Sequence, residues 1–295
     1  MKLVTYDKGG KEFIGVLSKD ETSIIPLKAN GFEYEDMNSL IETISYAEME
    51  RLNDIIEKGE AKEVLPLKET KLLAPIPNPK QDIICIGINY MDHAVESVRY
   101  KKDAFDGDRK DPVYFSKRVN RASADGDIIP SHSDIISTLD YEAELAVVIG
   151  RPAKDVKVED AFNYVFGYTI INDVTARELQ TKHKQWYFGK GLDGFTPMGP
   201  AIVTKDEIAV PPVLTIKCYV NGELRQNSKT DLFIHDIPYM ISELSKGMTL
   251  LPGTIISTGT PAGVGMGFVP PNFLVKGDTI TCEIEGIGKI TNTVE

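Results

Sequence analysis

Asp140-Tyr141-Glu142-Ala143-Glu144-Leu145-Ala146-Val147-Val148-Ile149-Gly150 reads as a β-strand whose near-continuous apolar run implies burial on both faces. Side chains alternate along a strand, so Glu142 and Glu144 point one way while Leu145, Val147 and Ile149 point the other. Two carboxylates on one face of such a strand are costly unless something positive sits between them. A divalent cation is the simplest partner; a solvated strand edge is the other reading of the same alternation. Asp173 offers a third oxygen ligand where the apolar segment Phe166–Asn172 hands over to a helix, or else serves as that helix's N-cap. Three carboxylates without His or Cys ligand spacing favour a hard ion, Mg²⁺ or Mn²⁺, with open positions for water and substrate.

On either side of this stretch the chain divides in two. Residues 1–70 read as a small α+β unit, with strands at Lys2–Tyr6, Phe13–Leu17 and Ser23–Pro26. One helix is expected from Ser39 to Lys58, capped by Ser39 with Glu42 and ended by Gly59. The unit holds no His or Cys, so its expected role is structural or oligomer-supporting. Residues 71–80 carry three prolines and read as an extended connector.

Residues 81–295 are strand-rich and punctuated by Gly and Pro, without regular β–helix–β alternation. That pattern disfavours a doubly wound or TIM-type sheet. The expected fold class is mainly β with α (α+β): a β-rich roll or barrel-like core with peripheral helices, plus the small N-terminal domain. Helices are expected at Glu159–Tyr164, Ala176–Lys184 and Ile237–Ser245.

Composition narrows the function classes. At 295 residues, 42% hydrophobic and 26% charged, the chain has the balance of a globular protein with a large core. A formal net charge of −11 argues against nucleic-acid binding, which needs clustered Lys and Arg. No apolar run is long enough to span a bilayer, and Met1-Lys2-Leu3 reads as the start of folded sequence, so a signal peptide is not expected. Cys85, Cys218 and Cys282 lie far apart in strand-like segments and read as reduced, buried thiols, so the expected location is cytoplasmic.

Other segments add candidate chemistry. In Asn89-Tyr90-Met91-Asp92-His93-Ala94-Val95-Glu96, a helix would set His93 and Glu96 on one face as a general-base pair or as a surface contact. Lys190 sits among aromatics and glycines, able to stabilise an oxyanion if buried, though a surface lysine in a turn is the simpler reading. Arg177 and Gln180 lie one helical turn apart and either meet a substrate carboxylate or decorate the helix. Thr258-Gly259-Thr260-Pro261-Ala262-Gly263-Val264-Gly265-Met266-Gly267 lacks the Gly-Lys-Ser/Thr ending of a phosphate loop. It suggests a tight loop whose backbone and Thr260 hydroxyl approach a small anion.

Taken in order, Gly-Ile-Asn-Tyr-x-x-His-x-x-Glu (87–96), Asp-Tyr-Glu-x-Glu-Leu-Ala (140–146), Gly-Tyr-Thr-x-x-Asn-Asp-Val-Thr-Ala-Arg (167–177), Gly-Lys (189–190) and Thr-Gly-Thr-Pro-x-Gly-Val-Gly (258–265) resemble the fumarylacetoacetate hydrolase family. The layout is similar to bacterial members that decarboxylate oxaloacetate and to acylpyruvate hydrolases. The resemblance implies a β-roll catalytic domain, usually homodimeric, around Mg²⁺ or Mn²⁺ held by Glu142, Glu144 and Asp173. It further implies a small 2-oxo acid substrate, Lys190 supporting an enolate, and His93 with Glu96 as a dyad on a mobile lid. Asn89, Tyr90, Arg177, Gln180 and Thr260 match substrate-contacting positions. The implied reaction is C–C cleavage, by hydrolysis or decarboxylation, with a keto–enol tautomerase or isomerase as the close alternative and a non-catalytic binding protein as a third.

The chain departs from that pattern in places. Arg118 follows Lys117 where many members have Pro, and Arg121 adds a further cation, either selecting a doubly charged substrate or lying on the surface. Gly191 stands where Ser is common. Residues 101–111, eight of eleven charged, read as an exposed part of the lid.

Overall fold

In the computed structural model, which describes residues 1–97 and 111–295, the apolar runs between Gly and Pro become the strands of two large sheets. The larger has eleven strands. Its order is Leu65–Pro66, Ser23–Pro26, Glu12–Leu17, Lys2–Asp7, Met198–Thr204, Val165–Asn172, Ala143–Ile149, Ile255–Ser257, Ile83–Gly87 and Val113–Lys117, with Leu72–Leu73 also paired to Lys2–Asp7. The second has five, in the order Glu223–Lys229, Thr215–Val220, Thr279–Ile284, Gly288–Val294 and Ile128–Ile129. A two-stranded ladder joins Leu139–Asp140 to Thr175–Ala176.

The strand-rich pattern and peripheral helices are as the sequence implied, but the barrel-like closure is not: among the described residues neither sheet closes on itself. The large sheet ends on one side at the two-residue strand Leu65–Pro66, and its proline has no N–H to extend the ladder.

The strand Ala143–Ile149 is buried along its whole length. Leu145, Val147 and Ile149 pack into one apolar cluster with Ile216, Cys218, Ile280 and Cys282 of the smaller sheet. Ala146 and Val148 face a second cluster with Leu3, Val16, Leu40 and Leu52. Lys2–Asp7 pairs with Met198–Thr204, so the N-terminal strands continue the central sheet. Burial of both faces explains why this strand lacks the apolar–polar alternation of a half-exposed one. The three cysteines are buried and free, and Cys218 and Cys282 are directly opposed on adjacent strands. Among the described residues no helix is long and apolar enough to cross a membrane.

The single helix expected over 39–58 is two, Met37–Thr43 and Tyr46–Lys58. Ser45 is extended at the break, and its hydroxyl accepts from Glu48 N while the Glu48 carboxylate accepts from Ser45 N. Ser39 closes the corresponding box of the first helix with Asp36, in place of the expected partner Glu42. The apolar spacing continues across the break, so periodicity alone joins what the caps divide. Gly59 ends the second helix in the left-handed region, as expected.

Candidate active site

Strand register builds the acid cluster. Ala143 lies opposite Asn172 and Glu144 opposite Ile171, so the next step of the ladder sets Glu142 beside Asp173. Asp173 N donates to Glu142 O at 2.8 Å, and Glu142 N donates to the Asn172 side chain at 3.0 Å. Like charges directly opposite on paired strands repel, yet Glu142, Glu144 and Asp173 each present an oxygen within 4.8 Å of the others. Asp173 does not cap the following helix, Arg177–Lys182, whose N-cap is Ala176.

Three buried cations interleave with these acids. Lys190 Nζ reaches Glu142 Oε2 at 2.7 Å and Asp173 Oδ2 at 2.6 Å. Lys117 Nζ lies 2.7 Å from Asp173 Oδ1 and donates to the carbonyls of Val174 and Lys190 at 3.2 and 2.5 Å. Arg177 joins Asp140 at 2.8 Å to Glu142 at 2.7 Å. All seven groups are at most 5% exposed, so each charge depends on its partners rather than on water.

Charge alternates along the chain of contacts Asp140, Arg177, Glu142, Lys190, Asp173, Lys117, and Glu144 is left over. Glu144 Oε2 accepts from Ser257 Oγ at 2.6 Å and Gly259 N at 2.9 Å, and among the described residues it has no ion pair. Burial pushes Glu142 up, but Lys190 and Arg177 outweigh it and hold the carboxyl down at about 2. Burial, then Asp173 and Glu142, push Glu144 up to about 8. Burial opposes the Lys190 charge, while Asp173 and Glu142 hold the ammonium above its usual range.

The donor set fits a hard divalent cation. It is all oxygen and buried; the seven charged groups together carry one negative charge in excess, and Asp173 Oδ1, though ion-paired to Lys117, has no aligned hydrogen-bond donor.

The cluster opens on a cavity of about 760 Å³, with Glu142, Glu144, Arg177, Lys190, Thr260 and His93 in its wall. Phe115 and Trp186 meet edge to face at 5.0 Å on its apolar side. His93 and Glu96 lie on the helix Met91–Ser97, both buried, with His93 Nδ1 3.0 Å from Glu96 Oε2. Gln180 also lines the cavity, and its side-chain oxygen accepts from Arg177 at 3.2 Å. The Thr260 hydroxyl donates to Ala143 O at 2.9 Å and accepts from Gln226.

Asn89 and Tyr90, the expected substrate contacts, stand behind the wall among the described residues. The Asn89 amide donates to the carbonyls of His235 and Thr258 and accepts from His235 N. Tyr90 is fully buried, edge-on to Phe233. Both are used to hold the turn after Ile83–Gly87, where β-branched Ile88 sits at φ 56°, a conformation costing on the order of 1–3 kcal/mol. Arg118 is exposed and Arg121 pairs with Glu12 on the surface. The expected lid insert at 101–111 lies outside the described residues except for Asp111.

Lys117, Asp140, Ser257 and Gln226 complete the site without having been singled out in the sequence. Counting charge was the available signal: three buried acids require cations, and Lys117 ends an otherwise uncharged strand, Val113–Lys117.

Comparison with known proteins gives the family. The model of the fumarylacetoacetate (FAA) hydrolase C-terminal family matches residues 82–295. Oxaloacetate tautomerase YisK of Bacillus subtilis (strain 168) is 44% identical, with 100% of both chains covered. The mitochondrial oxaloacetate tautomerase fahd2 of Xenopus laevis is 40% identical over 93% of this chain and 88% of its own. Among solved structures, a fumarylacetoacetate hydrolase from psychrophilic Exiguobacterium antarcticum superposes with a TM-score of 0.83 at 37% identity, covering 100% of this chain and 99% of that one. A 2-hydroxyhepta-2,4-diene-1,7-dioate isomerase from Mycobacterium marinum gives 0.76 at 32% identity, with 100% and 98% covered. With most of its length matched, the chain belongs to the fumarylacetoacetate hydrolase family of enzymes.

Proposed function

We propose that the protein is a divalent-metal-dependent enzyme acting on small 2-oxo acids through an enolate, and that its reaction is keto–enol tautomerisation of oxaloacetate or a close diacid relative. The observation that carries this reading is one cavity lined by Glu142 and Glu144 of the acid triad, by buried Lys190 and by His93, whose ring is paired with Glu96. The names of the Bacillus subtilis and Xenopus laevis relatives support the choice of substrate.

Glu142, Glu144 and Asp173 are the residues that would hold Mg²⁺ or Mn²⁺, which when bound supplies Lewis-acid stabilisation of negative charge on oxygen. Lys190 adds a fixed positive charge beside the same carboxylates, strengthened by exclusion of water. Glu96 accepts the Nδ1 proton of His93 and leaves Nε2 as the basic nitrogen. Nε2 takes a proton from the carbon next to the keto group, the C–H electron pair forms the C=C bond, and the keto oxygen gains the charge. Delivery of the proton to that oxygen completes the enol. Arg177, held in a fixed orientation by Asp140 and Glu142, presents its guanidinium to a carboxylate, with Gln180 and Thr260 beside it.

Cleavage of a C–C bond is a second reading, favoured by the cavity of about 760 Å³, more than a four-carbon diacid fills, and by the likeness to the Exiguobacterium hydrolase. There the dyad would activate water. Mn²⁺-loaded protein mixed with oxaloacetate, with enol absorbance, CO₂ release and acylpyruvate cleavage followed in parallel, separates the two. Faster enol exchange is expected, falling about 10²–10⁴-fold in His93→Ala. Acylpyruvate cleavage without faster exchange would install the second reading, and equal turnover in EDTA would remove both.

A further inference from the structure

The helix Met91–Ser97 carries the dyad but does not by itself fix the dyad's carboxylate. Glu96 turns Oε2 to His93 Nδ1 at 3.0 Å and Oε1 to the backbone N–H of Gly263 at 3.1 Å. Gly267 faces the same carboxylate. A Cβ at Gly267 would lie 2.0 Å from Glu96 Oε1 and 2.1 Å from its Cδ. Gly267 is not among the positive-φ glycines, so its backbone does not call for glycine; the space does. Gly263 is at φ 105°, and a Cβ there would meet the Arg225 carbonyl oxygen at 1.9 Å.

The loop between these glycines is anchored at several points. Gly265 N and Met266 N donate to the Asp140 carboxylate at 2.7 and 2.9 Å, and Tyr141 Oη donates to Gly263 O at 2.8 Å. The same Asp140 carboxylate accepts from Arg177 Nε at 2.8 Å. Loop and acid cluster thus share one buried anchor.

We propose that Gly263–Gly267 is the positioning element of the dyad: a notch, opened by the missing side chain of Gly267, seats the Glu96 carboxylate on the Gly263 N–H and so fixes the His93 ring. The anion this loop receives is the chain's own Glu96. Asp140 registers the notch against Arg177 and the acids. The inference rests on the reading of His93 as base. Its physical basis is that a carboxylate engaged through both oxygens cannot swing, whereas a misplacement of about 1 Å can cost about 10²-fold in rate.

The test compares Gly267→Ala, Glu96→Ala and the double variant. It uses thermal melts, Mn²⁺ affinity by calorimetry, oxaloacetate kinetics and ¹⁵N-histidine NMR. Gly267→Ala is expected to keep Mn²⁺ affinity within about twofold and KM nearly unchanged, while kcat falls about 10–100-fold and the hydrogen-bonded Nδ1–H signal of His93 is lost. In the Glu96→Ala background the same change is expected to cost nothing further. Melting temperature lost in the single variant is expected to return in the double, because truncating Glu96 vacates the space of the new methyl. Full kcat with an intact His93 signal in Gly267→Ala, or a loss that persists without Glu96, would overturn the proposal. If Gly267→Ala does not fold, the double variant decides: it must fold. Unchanged turnover in His93→Ala would remove the base assignment alone, since NMR and melting read the notch without catalysis.

Discussion

Glu144→Gln is expected to stabilise the metal-free protein while abolishing its response to metal. Glu144 is the one acid of the triad without a counter-charge among the described residues, and its carboxyl is pushed from 4.5 up to about 8 by burial, then by Asp173 and Glu142. A group raised in the fold above its unfolded value binds more protons folded than unfolded. Its contribution to stability is therefore fully present below 4.5 and lost as pH rises through about 8. Ionising it in the fold then costs on the order of 4–5 kcal/mol. Glutamine keeps the shape, and its oxygen still accepts from Ser257 Oγ and Gly259 N. Its amide N–H₂ replaces a charge that faces two carboxylates.

Urea unfolding in EDTA at pH 9 should place the midpoint of Glu144→Gln about 1 M above that of the parent, taking a slope of about 3 kcal/mol/M or more for a chain of this size. At pH 5 the two curves should nearly coincide. With Mn²⁺ at about 100 times its Kd, the parent should gain about 2.7 kcal/mol and the variant nothing. A variant less stable than the parent in EDTA at pH 9, or one that keeps the Mn²⁺ gain, would refute the view of Glu144 as an uncompensated ligand.

Lys117→Met should cost about 3–5 kcal/mol in urea unfolding, the usual result of removing one partner of a buried pair. Retained stability would mean that Lys190 alone balances Asp173. Ser45→Ala should cost about 1 kcal/mol, the worth of an N-cap, and leave Mn²⁺ affinity unchanged by calorimetry. A change in that affinity would tie the N-terminal helices to the site.

Much of the site was legible because buried charge is conspicuous in an apolar strand. Glu142 and Glu144 stood out by alternation, Asp173 by ending a strand, and His93 with Glu96 by helical spacing; Glu142, Glu144 and His93 line one cavity, with Asp173 grouped to the two acids and Glu96 hydrogen-bonded to His93. Lys117 was harder to see, since a lysine at the end of Val113–Lys117 looks like any strand terminus until the sheet buries it. Asn89 and Tyr90, expected as substrate contacts from the resemblance alone, do not line the cavity among the described residues, and the Asn89 amide donates to two backbone carbonyls. The helix over 39–58 failed at Ser45, where a local cap overrode a periodicity that runs straight through.

The sequence by itself determined the local facts: which segments alternate, which acids share a strand face, and that those acids need positive charge if the strand is buried. These follow from backbone geometry and the cost of burying charge, which act over a few residues. Only the tertiary structure decided that Glu142 stands beside Asp173, that Lys117 and Lys190 divide the carboxylates between them while Glu144 is left over, and that Glu96 lies in a notch more than 160 residues away in sequence. Those pairings depend on the register between distant strands. Local periodicity leaves that register open, and packing of the whole core sets it.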